Sequence, residues 1–476
     1  MLLLAPMKPK DIFTDIEILD TTIDGQGVAR IEDYVVFIQS AVTGDVVDLE
    51  ITRKKRKHAY GKIAALKIKT DKRTVPFCEH FDLCGGCTWQ HVKYKEQIVI
   101  KQKHVEDSFS RIGKVEVENI LPIIPSDETS HYRNRLDYTF SSKRWLTSEE
   151  LKNPKIKMLG GFAGFHFPGR FDKIIDINTC HLQPEPSNAI RNFIKNFALE
   201  REWTFYDPVT KTGFIRDTII RNTTTGEWMV IVVFHSDETE KINSLMQSLT
   251  ESFPQITSLN YVINPKNNPT IYDLEVHLFS RRESVTEKIG ELKFKISPKS
   301  FFQTNTKQAA VLYKTALDFA ELKSNEIVYD LYTGTGTIAN FISHRAKKVI
   351  GIDYITDAIE DAKVNSQLNN ISNTEFFAGD IKETLNDDFI SAHGQPDVII
   401  TDPPRSGMHP DVVKKISDMR VHRIVYVSCN PATQARDIAL LSENYRVIKM
   451  QAVDMFPHTS HVENVALLEH RQISNL

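Results

Sequence analysis

Apolar and polar positions alternate in short runs through the first seventy residues: Glu17-Ile18-Leu19, Val28–Ile31, Tyr34–Ile38, Val46–Ile51 and Tyr60–Ile63. Period-two alternation in pieces this short predicts strands, with turns at Asp24-Gly25-Gln26-Gly27 and Thr43-Gly44-Asp45. So many short strands in so little chain predict a small closed barrel over residues 8–70. From about residue 292 the pattern is different. Glu326–Leu331, Lys348–Asp353, Asp397–Asp402 and Arg423–Ser428 are nearly continuous apolar runs separated by amphipathic helical stretches. Buried parallel strands of a doubly wound α/β sheet read this way. The block between, residues 71–290, is mixed: a group of cysteines, a helical stretch Tyr94–Phe109, and β-like runs such as Met229–Phe234.

Composition narrows the class. Apolar residues make up 41% and charged residues 25% of the chain, the balance of a folded globular protein rather than a disordered one. No run approaches the roughly 20 apolar residues that span a bilayer. Met1–Ala5 is too short for a signal-peptide core and lacks a basic flank. A cytoplasmic monomer without membrane contact is expected. The net charge of −3 does not advertise nucleic-acid binding, but it is unevenly spread. Arg53, Lys54, Lys55, Arg56, Lys57, Lys62, Lys67, Lys69, Lys72 and Arg73 face the single acid Asp71 over that stretch, enough to grip phosphates locally. His131-Tyr132-Arg133-Asn134-Arg135 is a second candidate for RNA contact, balanced by an ordinary strand reading.

Candidate chemistry gathers at strand ends. Asp330-Leu331-Tyr332-Thr333-Gly334-Thr335-Gly336-Thr337 follows a strand and opens a helix, where glycines let the backbone approach a ligand. Position 339 is alanine, so the dinucleotide fingerprint is incomplete. Asp353, Asp380 and Asp402 end the next three strands, and carboxylates placed so can bind ribose hydroxyls. The set suits S-adenosylmethionine better than NAD, and the turn Asp402-Pro403-Pro404-Arg405 is typical of methyltransferases acting on nucleobases. Cys429, in Val427-Ser428-Cys429-Asn430-Pro431, lies between a strand end and a helix start, where amides lower a thiol pKa. A thiolate there can add to C6 of a pyrimidine and turn C5 into a nucleophile. A base must then remove the C5 proton, and Glu463, opening the terminal strand, is the candidate. Four cysteines remain, Cys78, Cys84, Cys87 and Cys180; in a cytosolic chain they point to metal, either zinc or an iron–sulfur cluster.

Together with Ser300-Phe301-Phe302-Gln303-Thr304-Asn305, these segments resemble the RNA uracil-5-methyltransferase family, and within it the iron–sulfur enzymes of 23S ribosomal RNA. The resemblance implies a Rossmann-like methyltransferase domain at 291–476, an oligonucleotide-binding-type TRAM barrel at 8–70, and a mixed α+β iron–sulfur domain at 71–290. A helical part near 91–115 is expected to pack on the catalytic domain. It further implies S-adenosylmethionine contacts at Gln303, Tyr332, Thr337, Asp353, Asp380 and Asp402. Cys429 is the implied nucleophile, Glu463 the implied proton acceptor, and Phe301 an implied stacking partner for an extruded base. Cys78, Cys84, Cys87 and Cys180 would hold a [4Fe-4S] cluster. Thr337 stands where the family often has asparagine, and Asp353 where it usually has glutamate. The implied substrate is an accessible uridine in a loop of 23S ribosomal RNA, uridine 1939 ahead of uridine 747. A transfer-RNA uridine and a non-catalytic RNA-binding or assembly role are the alternatives.

Overall fold

The computed structural model describes residues 7–147 and 149–472; the Met1–Ala5 segment lies outside the described residues. At the amino terminus, β1 (Ile12–Glu17), β2 (Asp20–Thr21), β3 (Gly27–Ile31), β4 (Tyr34–Ile38), β5 (Val46–Lys54) and β6 (His58–Ile68) form one sheet in the order β1-β5-β6-β4-β3-β2. Its two edges are successive pieces of a single segment. Ile12–Glu17 pairs with β5, and three residues further on Asp20 pairs with Val28 of β3, so the sheet closes on itself. Ile18, Ala29, Val36, Ile38, Val47, Leu49, Ile51 and Ala59 fill the interior. Asp45 is fully buried at the corner before β5. It accepts bonds from the amides of Val42 (2.9 Å) and Thr70 (3.1 Å) and from the Arg73 guanidinium (2.6 Å). Arg73 therefore serves the barrel, while Lys62 and Lys67 pair with Glu50 and Asp48. Among the described residues no ion pair ties Arg53, Lys55, Arg56 or Lys57, all of them exposed.

Helix α1 (Tyr94–Asp107) follows, and then β7 (Val117–Ile124). The second sheet has the order β10-β9-β8-β11-β12-β13-β14. Its strands are β8 (Arg135–Lys143), β9 (Leu159–His166), β10 (Ile174–Asp176), β11 (Ile215–Asn222), β12 (Trp228–Phe234), β13 (Ile256–Ile263) and β14 (His277–Arg281). Strand β12 shows why its sequence is apolar without a break. Trp228, Val230, Val232 and Phe234 pack with Ile190, Ile194 and Phe197 of α2 (Ser187–Glu200) and Ile242, Leu245 and Leu249 of α3 (Thr239–Ser252). Met229, Ile231 and Val233 face the opposite way. There they meet the hairpin β15 (Val285–Ile289) and β16 (Leu292–Ile296), and α4 (Thr306–Ala320). The middle sheet thus shares a core with the carboxyl-terminal sheet.

That last sheet comprises β17 (Ile327–Leu331), β18 (Lys348–Asp353), β19 (Thr374–Ala378), β20 (Val398–Thr401), β21 (Arg423–Ser428), β22 (Tyr445–Val453) and β23 (Glu463–His470). Helices α5 (Thr337–Ile342), α6 (Thr356–Leu368), α7 (Ile381–Thr384), α8 (Asp387–His393), α9 (Pro410–Asp418) and α10 (Pro431–Leu441) connect them. The order is β19-β18-β17-β20-β21-β23-β22-β7. The first five strands are parallel, and β23 runs antiparallel to both of its neighbours. Strand β7, in the stretch read from sequence as part of the middle block, pairs in parallel with β22 and covers what would be an open edge. Its Pro122 is tolerated at that edge position.

Removing Asp45 leaves an arginine and two amides without their partner. Asp45→Ala is expected to cost about 3 kcal/mol of stability, read as a lowered urea midpoint; a loss below about 1 kcal/mol would make the corner pair incidental.

Candidate functional site

The order of the parallel strands reverses between β17 and β20, the switch point at which open α/β sheets bind ligands. The loop after β17 is wound tightly. Tyr332, Gly334 and Gly336 all have positive φ (64°, 54° and 73°), a conformation that strains the tyrosine. A Cβ on Gly336 would come within 2.9 Å of Ala362. Asp330, fully buried beneath the loop, accepts bonds from the Thr333 hydroxyl (2.5 Å) and the Ala339 amide (3.1 Å). Burial pushes its carboxyl up to about 7. The carboxylate of Asp353 receives the amides of Gly334 and Ile355, both at 2.9 Å, which ties the end of β18 to the glycine turn. Tyr313 donates its hydroxyl to that of Thr337 at 3.2 Å. Asp380 is exposed and caps the next turn through the Lys382 amide (2.9 Å).

The structure brings Tyr332, Thr337, Asp353, Asp380 and Asp402 to the carboxyl ends of neighbouring strands. Gln303 comes from outside the sheet, on the segment before α4. Its carbonyl accepts the Asn134 side chain (2.9 Å), and Asn134 also donates its amide to Thr304. Phe301, two residues earlier, is 66% exposed, whereas Phe302 is buried.

Strand β21 is buried along its whole length and delivers Cys429 at its end, half-exposed. Asn430 caps α10 by accepting the Ala432 amide (3.2 Å) and donates its own amide to the Arg405 carbonyl (3.1 Å). Thr433 and Arg436 hold the same loop at Arg405 and Ser406. Buried Asp437 accepts the Met408 amide (2.8 Å) and the Tyr426 hydroxyl (2.7 Å). Helix α10 therefore fixes the turn that carries Asp402 and Arg405. Ser428 pairs with Asn464, the last pair of the antiparallel register; Cys429 and Glu463 each lie one residue beyond it, near enough for the Glu463 charge to act on the thiol.

Electrostatics here differ from the sequence expectation of a lowered thiol pKa. Burial pushes the Cys429 thiol up to about 11; Glu463 and Asp402 add to the rise, and Arg405 opposes it. The start of α10 is already capped by Asn430 and opened by a proline, so two nearby acids outweigh it. Glu463 is buried, which raises its carboxyl well above the ordinary range; Asp402 raises it further and Arg405 counters. Asp402 is raised too, again by burial.

Cys78, Cys84, Cys87 and Cys180 are free thiols lining one cavity of about 1090 Å³. Cys84 and Cys87 pack against the cluster of core residues that contains Cys180. Burial raises all four, Cys84 to about 11 and Cys87 to about 12, and Cys84, Cys87 and Cys180 each feel the charge of at least one other of the set. Among the described residues no three His, Cys, Asp or Glu side chains are arranged to hold a single metal ion. The four thiols would offer a sulfur-only donor set, the kind that iron–sulfur clusters take.

The profile of the tRNA (uracil-5-)-methyltransferase family matches residues 217–471. The chain belongs to this family. The TRAM domain profile matches residues 14–64, within the closed barrel. An uncharacterized RNA methyltransferase of Bacteroides thetaiotaomicron is 52% identical over 451 residues, covering 94% of this chain and 99% of the relative. One from Porphyromonas gingivalis is 50% identical over 463 residues, covering 95% and 99%. Among solved structures, Pyrococcus abyssi tRNA (uracil-54, C5)-methyltransferase in complex with S-adenosyl-L-homocysteine superposes with a TM-score of 0.72. It is 30% identical and covers 95% of this chain and 99% of its own. The fold of the last sheet is accordingly that of the S-adenosylmethionine-dependent methyltransferases, in an RNA methyltransferase. No helix among the described residues is long and apolar enough to cross a membrane.

Two features of the site have no role in the sequence reading. Asp330 stood inside a quoted motif, but its burial is visible only once Thr333 and Ala339 close on it. Arg405 is the cation set against Glu463 and the Cys429 thiol, a role its side-chain type alone does not report. The segment at 131–135 also reads differently. Tyr132 is buried with its hydroxyl on the Pro457 carbonyl (3.0 Å), and Arg135 pairs with Asp137. Tyr132 and Asn134 brace the interior, while His131 stays exposed.

Two outcomes follow from this geometry. Gly336→Ala, strained and short of space, is expected to weaken S-adenosylmethionine binding at least tenfold, as read by calorimetry; unchanged affinity would show that the loop yields. A carboxyl with a raised folded pKa stabilises the protein below its ordinary pKa and loses that contribution as pH rises through the folded value. For Glu463 the window runs from 4.5 to about 8. Glu463→Gln should therefore gain about 1–3 kcal/mol over the parent by pH 9 and nothing at pH 4; equal melting curves at both would contradict the assignment.

Proposed function

We propose that the protein methylates C5 of uridine in structured RNA. The observation that supports this reading is the pairing of β21 with β23 up to Ser428 and Asn464, the residues next to Cys429 and Glu463. S-adenosylmethionine, held by Gln303, Tyr332, Thr337, Asp353, Asp380 and Asp402, supplies an electrophilic methyl group when bound. Cys429 gives up its thiol proton to water and adds to C6 as the thiolate, which Arg405 favours against the neighbouring acids. The addition makes C5 nucleophilic enough to accept the methyl group. Glu463, acting in its ionised form, then takes the C5 proton, the C5–C6 double bond re-forms, and the C6–sulfur bond breaks. The uridine must leave its stack to reach Cys429, and the ring of Phe301, exposed on the surface, stacks on the extruded base. Arg53, Lys55, Arg56 and Lys57 on the barrel contribute salt-sensitive phosphate contacts.

In this reading Cys78, Cys84, Cys87 and Cys180 hold a [4Fe-4S] cluster that cross-links the 78–87 segment to the middle sheet, with no part in methyl transfer. The cysteine set favours 23S ribosomal RNA as substrate, uridine 1939 first and uridine 747 next. A transfer-RNA uridine is the second reading, favoured by the likeness to the Pyrococcus abyssi enzyme.

Protein and S-adenosylmethionine mixed with 5-fluorouridine-substituted total RNA should form an adduct that survives a denaturing gel and disappears in Cys429→Ala. Fluorine at C5 cannot leave as a cation, so the reaction stalls after methyl transfer. Sequencing the captured RNA then separates ribosomal from transfer RNA. No adduct from cofactor-loaded protein would refute C6 addition and favour a non-catalytic RNA-binding role. Protein purified without oxygen should carry iron and acid-labile sulfide in equal amounts, both lost in Cys87→Ala; zinc in their place would overturn the cluster.

A further inference from the structure

Helix α1 turns a polar face inward. Tyr94, Gln97 and Lys101 follow the three–four spacing that puts side chains on one side of a helix, and Gln97 and Lys101 are fully buried. All three reach the segment 454–458, which leaves β22 on the way to Glu463. The Lys101 ammonium meets the Asp454 carboxylate at 2.6 Å, with neither side chain exposed, and donates a second bond to the Phe456 carbonyl (3.0 Å). The Tyr94 hydroxyl donates to Asp454 (2.8 Å) and accepts the Ser126 amide (2.7 Å). Gln97 accepts the His458 amide (2.9 Å) and directs its own amide to His458 Nδ1 (3.1 Å) and the carbonyls of Trp89 and Val92. The His458 carbonyl in turn accepts the amides of Thr88 and Trp89, next to Cys87. From the other side Gln308 and Asn305 bind the carbonyls of Asp454 (2.9 Å) and Met455 (3.0 Å).

Such a network is an expensive way to gain stability, because a buried ion pair often does no better than apolar packing of the same volume. Directional bonds do restrict the backbone to one geometry, and His458 is held at a φ of 64°. The last pair of β22 with β23 is Val453 with Glu463, so the clamped segment begins one residue beyond the partner of Glu463.

Resting on the function proposed above, we infer that Tyr94, Gln97 and Lys101 are positioning residues for Glu463, acting through the 454–458 segment. They set the carboxylate where it can receive the C5 proton once C5 carries the methyl group. In that step the C5–H bond breaks, its electron pair forms the C5–C6 double bond, and the thiolate of Cys429 departs from C6. A displaced Glu463 slows this elimination and leaves addition and methyl transfer intact.

The test uses the full chain carrying Tyr94→Phe or His458→Asn, the latter because asparagine tolerates positive φ. Unmodified uridine RNA and methyl-labelled S-adenosylmethionine are run to steady state, and label is counted in released RNA and in protein-linked RNA. The parent should release its product with little adduct. The variants should turn over roughly 10- to 100-fold more slowly, with KM for RNA unchanged and labelled adduct accumulating. They should remain folded at the assay temperature, and their capture of 5-fluorouridine RNA should match the parent. Slower turnover without adduct, or an equal loss of fluorouridine capture, would overturn the positioning role and leave the network a structural brace. Failure of the parent itself to capture fluorouridine RNA would instead overturn the function on which the inference rests.

Discussion

A parallel α/β sheet presents only the carboxyl ends of its strands to the crevice where ligands bind. Such a sheet can supply a nucleophile from one strand end, but a second group facing it must come from a loop or from a strand that runs backwards. Here β23 runs backwards beside β21, so the residue that begins it, Glu463, stands where β21 ends, at Cys429. Ladder hydrogen bonds along six paired residues set that relation, and both strands are buried almost throughout. The remainder of the site is arranged around this pair. Helix α10 leaves Cys429 and holds the Asp402–Arg405 turn, while α1 and the start of α4 hold the segment leading to Glu463.

Burial sets the chemistry of the pair as much as proximity does. With Asp402 and Glu463 together in a place poor in solvent, both carboxyls are pushed toward keeping a proton, and Cys429 toward staying a thiol. A resting site of this kind is protected against stray reaction of the sulfur. Arg405 is the nearby cation that opposes both tendencies. Reactivity in such a site depends on what a bound uridine ring does to the surrounding water and charge.

Much of the last sheet was legible because its strands are buried on both faces and read as unbroken apolar runs; Lys348–Asp353 and Arg423–Ser428 have the same limits in sequence and structure. Most of the barrel was legible for the opposite reason, β3 and β5 alternating between inside and outside, but the strand expected at Glu17–Leu19 is instead the break between β1 and β2, and β1 itself shows no clean alternation. Val117–Ile124 was not assignable, since nothing local says that a strand so early in the chain will close the edge of the last sheet. The inward face of α1 was hidden for a related reason: Tyr94, Gln97 and Lys101 look like solvent-facing residues, and only the distant Asp454 and His458 make them interior. The motif residues Cys429, Glu463 and Asp402 could be picked from their places at strand ends. The charge balance among them could not, because it depends on burial and on Arg405, which side-chain type alone does not report.

The most direct test of the central chemistry follows the hydrogen on C5. RNA carrying tritium at C5 of its uridines is incubated with the protein and S-adenosylmethionine, and tritium in the water is compared with methyl groups in the RNA. The mechanism requires tritium to enter the water one-for-one with methyl incorporation. Methyl incorporation with the tritium retained in the RNA would place the new methyl group elsewhere, and the pairing of Cys429 with Glu463 would then need another explanation.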